Sequence, residues 1–255
     1  MQKSFFRNLV AALAAVVLLL RAGEPFRIRR ENLPYFLMRS IFGTMGVLCN
    51  FYAVDHLVLA DASILNKMSP FFVIIFSFIF LKERLTAFQG FTVLCAFIGS
   101  LFIIKPSFSN VEFLPALLGF LGGMGAGLAY TCVRYLGQHG EKGAYIVAYF
   151  SAFSCLFCLP FMLMDFHPMS VTQLLCLLGA GAAAAGGQFA ITAAYTYAPA
   201  KEISVYDYSQ LIFTTILGFI FFGDIPDKWS FAGYAVIILM AVVNFWYNNL
   251  RKTES

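Results

Sequence analysis

Charge is what this chain has least of. Asp, Glu, Lys and Arg make up 12% of its 255 residues, about half the share usual in soluble domains. With 60% hydrophobic residues beside them, too little polar surface remains to cover a globule in water. A soluble enzyme, a nucleic-acid binder and a disordered chain are all disfavoured on this ground. The net charge of +4 is small and sorted by membrane side, so no nucleic-acid partner is expected. Histidine is scarce too. His56, His139 and His167 stand apart, with no H-E-x-x-H pair and no Ser/His/Asp arrangement within an apolar run. No glycine-rich phosphate loop ending in Lys-Ser or Lys-Thr occurs, so ATP hydrolysis is not expected. The six cysteines all lie in apolar runs, and Cys155-x-x-Cys158 lacks the second pair or histidine that would complete a metal site. They read as small packing residues. The chain is expected to be no enzyme and to carry no cofactor or metal.

What is abundant is apolar and aromatic. There are 30 Phe, and the mean hydropathy is +0.80. Runs of roughly 17–25 apolar residues mark membrane-spanning helices. Nine occur, at about 5–20, 33–53, 60–81, 87–104, 113–133, 144–164, 171–197, 203–222 and 230–248. The segments between them are too short for a separate domain. The expected fold is an all-α integral membrane bundle of about nine transmembrane helices, with the lipid bilayer as its first partner. The first run, after Lys3 and Arg7, has the outline of a signal peptide. It ends at Arg21 without a polar cleavage region, so a retained helix is the better reading.

Lys and Arg concentrate on the cytoplasmic side of membrane proteins. With the C-terminus inside, the inner segments hold Arg21, Arg27, Arg29, Arg30, Lys82, Arg84, Arg134, Lys142, Lys201, Arg251 and Lys252. The outer ones hold Lys3, Arg7, Lys105 and Lys228. The bias predicts a multi-pass protein of the cell membrane with a cytoplasmic C-terminus.

The chain also repeats itself. A shift of 141 residues lays 46–83 on 187–224 without a gap, matching Gly46/Gly187, Ala53/Ala194, Ser63/Ser204, Phe72/Phe213, Ile75/Ile216, Phe78/Phe219, Ile79/Ile220 and Phe80/Phe221. Polar positions coincide as well: Asp61/Glu202, Asn66/Asp207 and Glu83/Asp224. The shift carries the third span onto the eighth, an odd number of crossings later, so the two copies face opposite ways. Inverted repeats are the mark of transporters, whose similar halves rock about an in-plane axis. Two spans precede the 171–197 run within the second copy and one precedes 33–53 within the first, so the first copy is one helix short.

FFRNLVAALAAVVLLLRAGEPFRIRRENLPYFLMRSIFGTMGVLCNFYAVDHLVLADASILNKMSPFFVIIFSFIFLKERLT resembles the first EamA domain of the drug/metabolite transporter superfamily. The telling stretches are RSIFG (Arg39 to Gly43), FYAV-x-HL-x-LADAS (Phe51 to Ser63), SPFF (Ser69 to Phe72) and LKERLT (Leu81 to Thr86). The second half is similar to the second EamA domain but more diverged. The resemblance divides the chain into repeats at 1–106 and 107–255. It implies a five-plus-five inverted repeat, here without its first helix, that moves an amino acid, a nucleotide derivative or another drug-like metabolite. A proton or other ion is the coupling partner it suggests. The chain is expected to be a monomer, with a homodimer as the alternative. A truncated, non-transporting paralogue that needs a partner is the competing reading of the whole.

Ionisable groups within spans are costly and are functional candidates by default. Lys67, in Asn66-Lys67-Met68-Ser69-Pro70, lies about 10 Å into its span, where Pro70 removes a backbone donor. It is either a cation for a substrate carboxylate or phosphate, or a lysine reaching up to the outer interface. Asp207, in Ser204-Val205-Tyr206-Asp207-Tyr208-Ser209-Gln210, could bind an amine or take up a proton. Its alternative is an interfacial carboxylate near a helix start. Inversion places Lys67 toward the outside and Asp207 toward the cytoplasm, so no direct pairing is expected. Arg39 either lines an inner cavity or reaches to the interface. Tyr130 and Gln188 are polar groups among small or apolar neighbours. The candidate substrate-binding set is Arg39, Asn66, Lys67, Ser69, Tyr130, Gln188, Tyr206, Asp207 and Gln210. Two small-residue faces, Gly119-Gly123-Gly127 and Gly179-Ala183-Gly187, are expected to let helices approach closely.

Overall fold

The computed structural model describes residues 2–23, 28–57, 59–105, 112–223 and 225–253. Arg27, Asp224 and the repeat boundary at 106/107 lie outside the described residues. The helices are α1 (Gln2–Arg21), α2 (Leu33–His56), α3 (Leu59–Asn66), α4 (Ser69–Leu81), α5 (Ala87–Ile104), α6 (Phe113–Gln138), α7 (Gly143–Met164), α8 (Val171–Tyr197), α9 (Ala200–Ile203), α10 (Ser209–Phe222) and α11 (Lys228–Thr253). Among the described residues, eight helices are long and apolar enough to cross a membrane. The architecture is the expected all-α membrane bundle.

The eighth expected span, 203–222, is discontinuous. It is built from the single turn α9, a 3-10 turn at Tyr206–Tyr208, and α10. The 14 residues of α10 rise about 21 Å, short of a hydrocarbon core about 30 Å thick. The third span is broken at the matching place, between α3 and α4. Pro70 occupies the first turn of α4, where its missing N–H costs nothing. The repeat is visible in these boundaries. Leu59 and Ala200 open α3 and α9, and both are 141 residues apart. Lys82 and Gly223, also 141 apart, close α4 and α10 with left-handed φ of 56° and 74°.

Two compact units emerge, Met1–Leu48 with Leu128–Ala198, and Cys49–Gly127 with Pro199–Ser255. Each draws on both halves of the sequence. In the first unit α1 buries Ser4, Asn8, Ala11, Ala15 and Leu19, a helical stripe that packs on α7 and α8. Asn8 Nδ2 donates to Ser154 Oγ at 2.8 Å, satisfying a polar pair that lipid could not. The small face of α8 is not the expected one. Nothing lies within 4 Å of a Cβ built at Gly179 or Gly187, and Ala183 is exposed. The buried face is Gly181, Ala185, Gln188, Thr192 and Tyr195, with Gly181 against Val10 of α1. Nearly every residue from 179 to 187 is Gly or Ala, so small size alone selects no face there.

In the second unit α5 lies along α11. A Cβ at Gly233 would sit 2.5 Å from the Gly99 carbonyl oxygen, so the two backbones nearly touch. Val93, Ala96, Val205, Tyr208 and Ile237 form the core beside them. The expected glycine face of α6 is packed here. A Cβ at Gly119 would lie 2.8 Å from Leu65 Cδ1, at Gly123 2.6 Å from the Leu65 carbonyl oxygen, and at Gly127 2.5 Å from Phe72 Cβ. The stripe therefore presses on both sides of the α3–α4 break.

At the start of α11, Asp227 accepts from the Ser230 N–H at 3.0 Å and from Ser230 Oγ at 2.9 Å, capping the helix. It also pairs with Lys105 Nζ at 2.5 Å. The Lys105 ammonium, followed by the Ser230 donors, pulls its carboxyl from 3.8 down to about 2. A carboxyl depressed in the folded state contributes stability above its unfolded pKa and loses it as pH falls through the folded one. The thermal midpoint of Asp227→Asn should therefore lie below wild type near neutrality, and the gap should close between pH 3.8 and about 2. A gap that persists unchanged at about pH 2 would contradict this. The pair is exposed, so the effect is small and weakens with salt.

Candidate functional site

Within the second unit the two helix breaks meet. Lys67 follows α3, and its backbone is held by N–H donation to the Ser63 carbonyl at 3.0 Å. The Phe71 N–H turns to the Met68 carbonyl at 3.1 Å, which releases the carbonyl of Lys67 from the helix ladder. Tyr208 Oη donates to that carbonyl at 3.2 Å. In return Lys67 Nζ donates to the Asp207 carbonyl at 2.9 Å and to Gln210 Oε1 at 2.6 Å. Positions 67 and 208 are equivalents under the 141-residue repeat. Each gives its side chain to backbone beside the other, the self-complementary pattern of a two-fold contact.

Lys67 and Asp207, for which no direct pairing is expected from the sequence, thus meet through the Asp207 backbone carbonyl. The contact joins the end of the α3–α4 break to the start of α10. Lys67 is 7% exposed, and its ammonium is held by neutral oxygens of the opposite break. Asn66 and Ser69 end α3 and begin α4 around it. Tyr206 sits at the outer edge of the second break and donates to the Ala241 carbonyl at 3.4 Å.

Arg39, Tyr130 and Gln188 belong to the first unit. Arg39 is 3% exposed, and its guanidinium lies 4.0 Å from the Phe150 ring centre and 6.0 Å from that of Tyr130. A Cβ at Gly43 would collide with that guanidinium, so the RSIFG stretch supplies both the cation and the room for it. Tyr130 stacks on Tyr195 with ring centres 5.0 Å apart and planes 10° from parallel. Gln188 Nε2 faces Thr192 Oγ1 at 3.4 Å, on the same buried face of α8 as Tyr195. Sequence reasoning missed Tyr208, Phe150 and Tyr195. The first could have been found as the residue 141 beyond Lys67; nothing in the sequence singles out the two others.

The model of one protein family, described as the EamA-like transporter family, matches residues 1–105 and 113–246. The chain belongs to the EamA-like transporter family. This EamA-like protein is 33% identical over 239 residues to the pseudopaline exporter CntI of Pseudomonas aeruginosa (strain UCBPP-PA14), covering 93% of this chain and 83% of that one. It is 30% identical over 246 residues to a riboflavin transporter of Brucella anthropi, covering 92% and 84%. A solved crystal structure superposes with a TM-score of 0.82 over 99% of this chain and 88% of that chain, at 15% identity. At that identity the likeness speaks for the fold. This EamA-like chain is thus a multi-pass membrane transporter of a small molecule, and not an enzyme.

Proposed function

We propose that the protein moves a small organic metabolite across the cell membrane by alternating access, without ATP, with its C-terminus in the cytoplasm. The observation that carries this is the crossing of two broken helices at repeat-equivalent positions. Discontinuous helices near the repeat axis are where secondary transporters bind cargo and coupling ions. Lys67 is the cation that substrate displaces from the Asp207 carbonyl and Gln210. Asn66, Ser69, Tyr206 and Gln210 offer further hydrogen-bonding groups around it. Asp207 is the proton-uptake candidate, since it is the carboxylate at the second break. Arg39, Tyr130 and Gln188 line the substrate path in the first unit. The cargo class is an amino acid, a nucleotide derivative or another small metabolite; the cargoes named for the relatives, pseudopaline and riboflavin, belong in the first panel. A single chain carries both repeats, which supports a monomer.

The test is flux of a labelled metabolite panel in sealed vesicles, with and without a proton gradient. At least one compound should move faster than in protein-free vesicles, and Asp207→Asn should abolish its dependence on the gradient. Gradient-driven flux that is unchanged in Asp207→Asn would remove the carboxylate from coupling.

A further inference from the structure

Arg39 is the least accounted-for group in the molecule. Its guanidinium is buried, its Nε has no hydrogen-bond partner among the described residues, and no carboxylate of those residues lies within ion-pair reach. The rings of Phe150 and Tyr130 lie over it, and a ring stabilises a desolvated cation by less than its burial costs. Arg7 of α1 deepens the problem. It lies within electrostatic range of both Arg39 and Tyr130, is partly buried, and likewise has no described ion pair. A buried guanidinium without a carboxylate, with a second arginine in the same unit, calls for an anion. The same helices hold three further orphans: Ser40 Oγ and Thr44 Oγ1, one turn apart on α2, and Ser151 Oγ, next to Phe150 on α7, are buried without partners.

We propose that Arg39 and Arg7 bind an oxyanion, the carboxylate or phosphate of the transported molecule. The proposal rests on the transport reading and narrows its substrate class to organic anions. A guanidinium with Nε free presents the planar fork that grips an oxyanion through two parallel bonds. The second arginine neutralises the remaining charge, and the three unpartnered hydroxyls on the same helices are candidate neutral donors. Arg7, counted with the outer segments in the charge balance, lies in the second turn of α1, which begins at Gln2.

The purified full chain, in bilayer discs of phosphatidylcholine alone, is titrated with millimolar inorganic phosphate or citrate, with sucrose as a neutral control. The thermal midpoint is read. Wild type should show a saturable upward shift with an anion and none with sucrose. Arg39→Gln and Arg7→Gln should lose that shift, and Arg39→Lys should keep part of it. Without anion, Arg39→Gln should unfold no lower than wild type, because it removes a charge that nothing else pairs; an arginine serving only structure would give a lower midpoint. Should Arg39→Gln fail to insert, Arg7→Gln carries the same comparison. No shift in wild type, or an equal shift in Arg39→Gln, would overturn the proposal. So would a shift produced by adding phosphatidylglycerol that then blocks any response to phosphate or citrate, since the site would belong to a lipid headgroup. Binding is read without flux, so the two readings fail separately: an anion shift in a chain that moves nothing removes transport alone, and flux without an anion shift removes this assignment alone.

Discussion

Lys67→Ala should lower the flux of any transported compound about 10- to 100-fold, the equivalent of one or two charge-assisted hydrogen bonds. The reason lies in where the ammonium is held. It bridges the two broken helices through the Asp207 carbonyl and Gln210, so its loss removes both the cation and the tie between the breaks. A binding role predicts that the apparent affinity for substrate falls and that Lys67→Arg, which keeps the charge, recovers part of the flux. A purely structural tie predicts instead that Lys67→Met, apolar and of similar length, lowers stability as much as flux. Measuring initial rates against substrate concentration beside thermal midpoints for the three variants separates these outcomes.

Gly123→Val should damage both fold and transport. A Cβ there would sit 2.6 Å from the Leu65 carbonyl oxygen, and backbone cannot swing aside as a flexible side chain can. Overpacking of this kind costs about 1–3 kcal/mol and often more when backbone must shift. Here the displaced backbone is the end of α3, so Lys67 moves with it. The matched control is Gly179→Val, where nothing lies within 4 Å. The expected result is a clear drop in thermal midpoint and flux for Gly123→Val and little change in midpoint for Gly179→Val. Equal effects at the two positions would show that the α6 stripe is not a packed face.

Much of this architecture was legible in the sequence because the bilayer allows few solutions. Apolar runs long enough to span it read directly as helices, and the repeat announced itself through an ungapped offset. The α3–α4 break was signalled by Pro70. The second break was not, since Ser204 to Gln210 contains no proline and its polar residues read as features of a continuous helix. The small face of α8 was misassigned because Gly and Ala fill both faces between 179 and 187; burial there follows Gln188, Thr192 and Tyr195 further along. No direct pairing of Lys67 with Asp207 was legible because inversion was applied to positions along the helices, without the contact between the two breaks that joins them.

Alternating access around that crossing is the central claim, and thiol labelling tests it most directly. The cysteines at 49, 95, 132, 155, 158 and 176 are replaced, Asn66→Cys is introduced beside the lysine, and a membrane-impermeant maleimide is applied from one side of oriented vesicles or the other. The account predicts that this one position labels from both sides and that a transported substrate slows both reactions. Labelling from one side alone, unchanged by substrate, would contradict it.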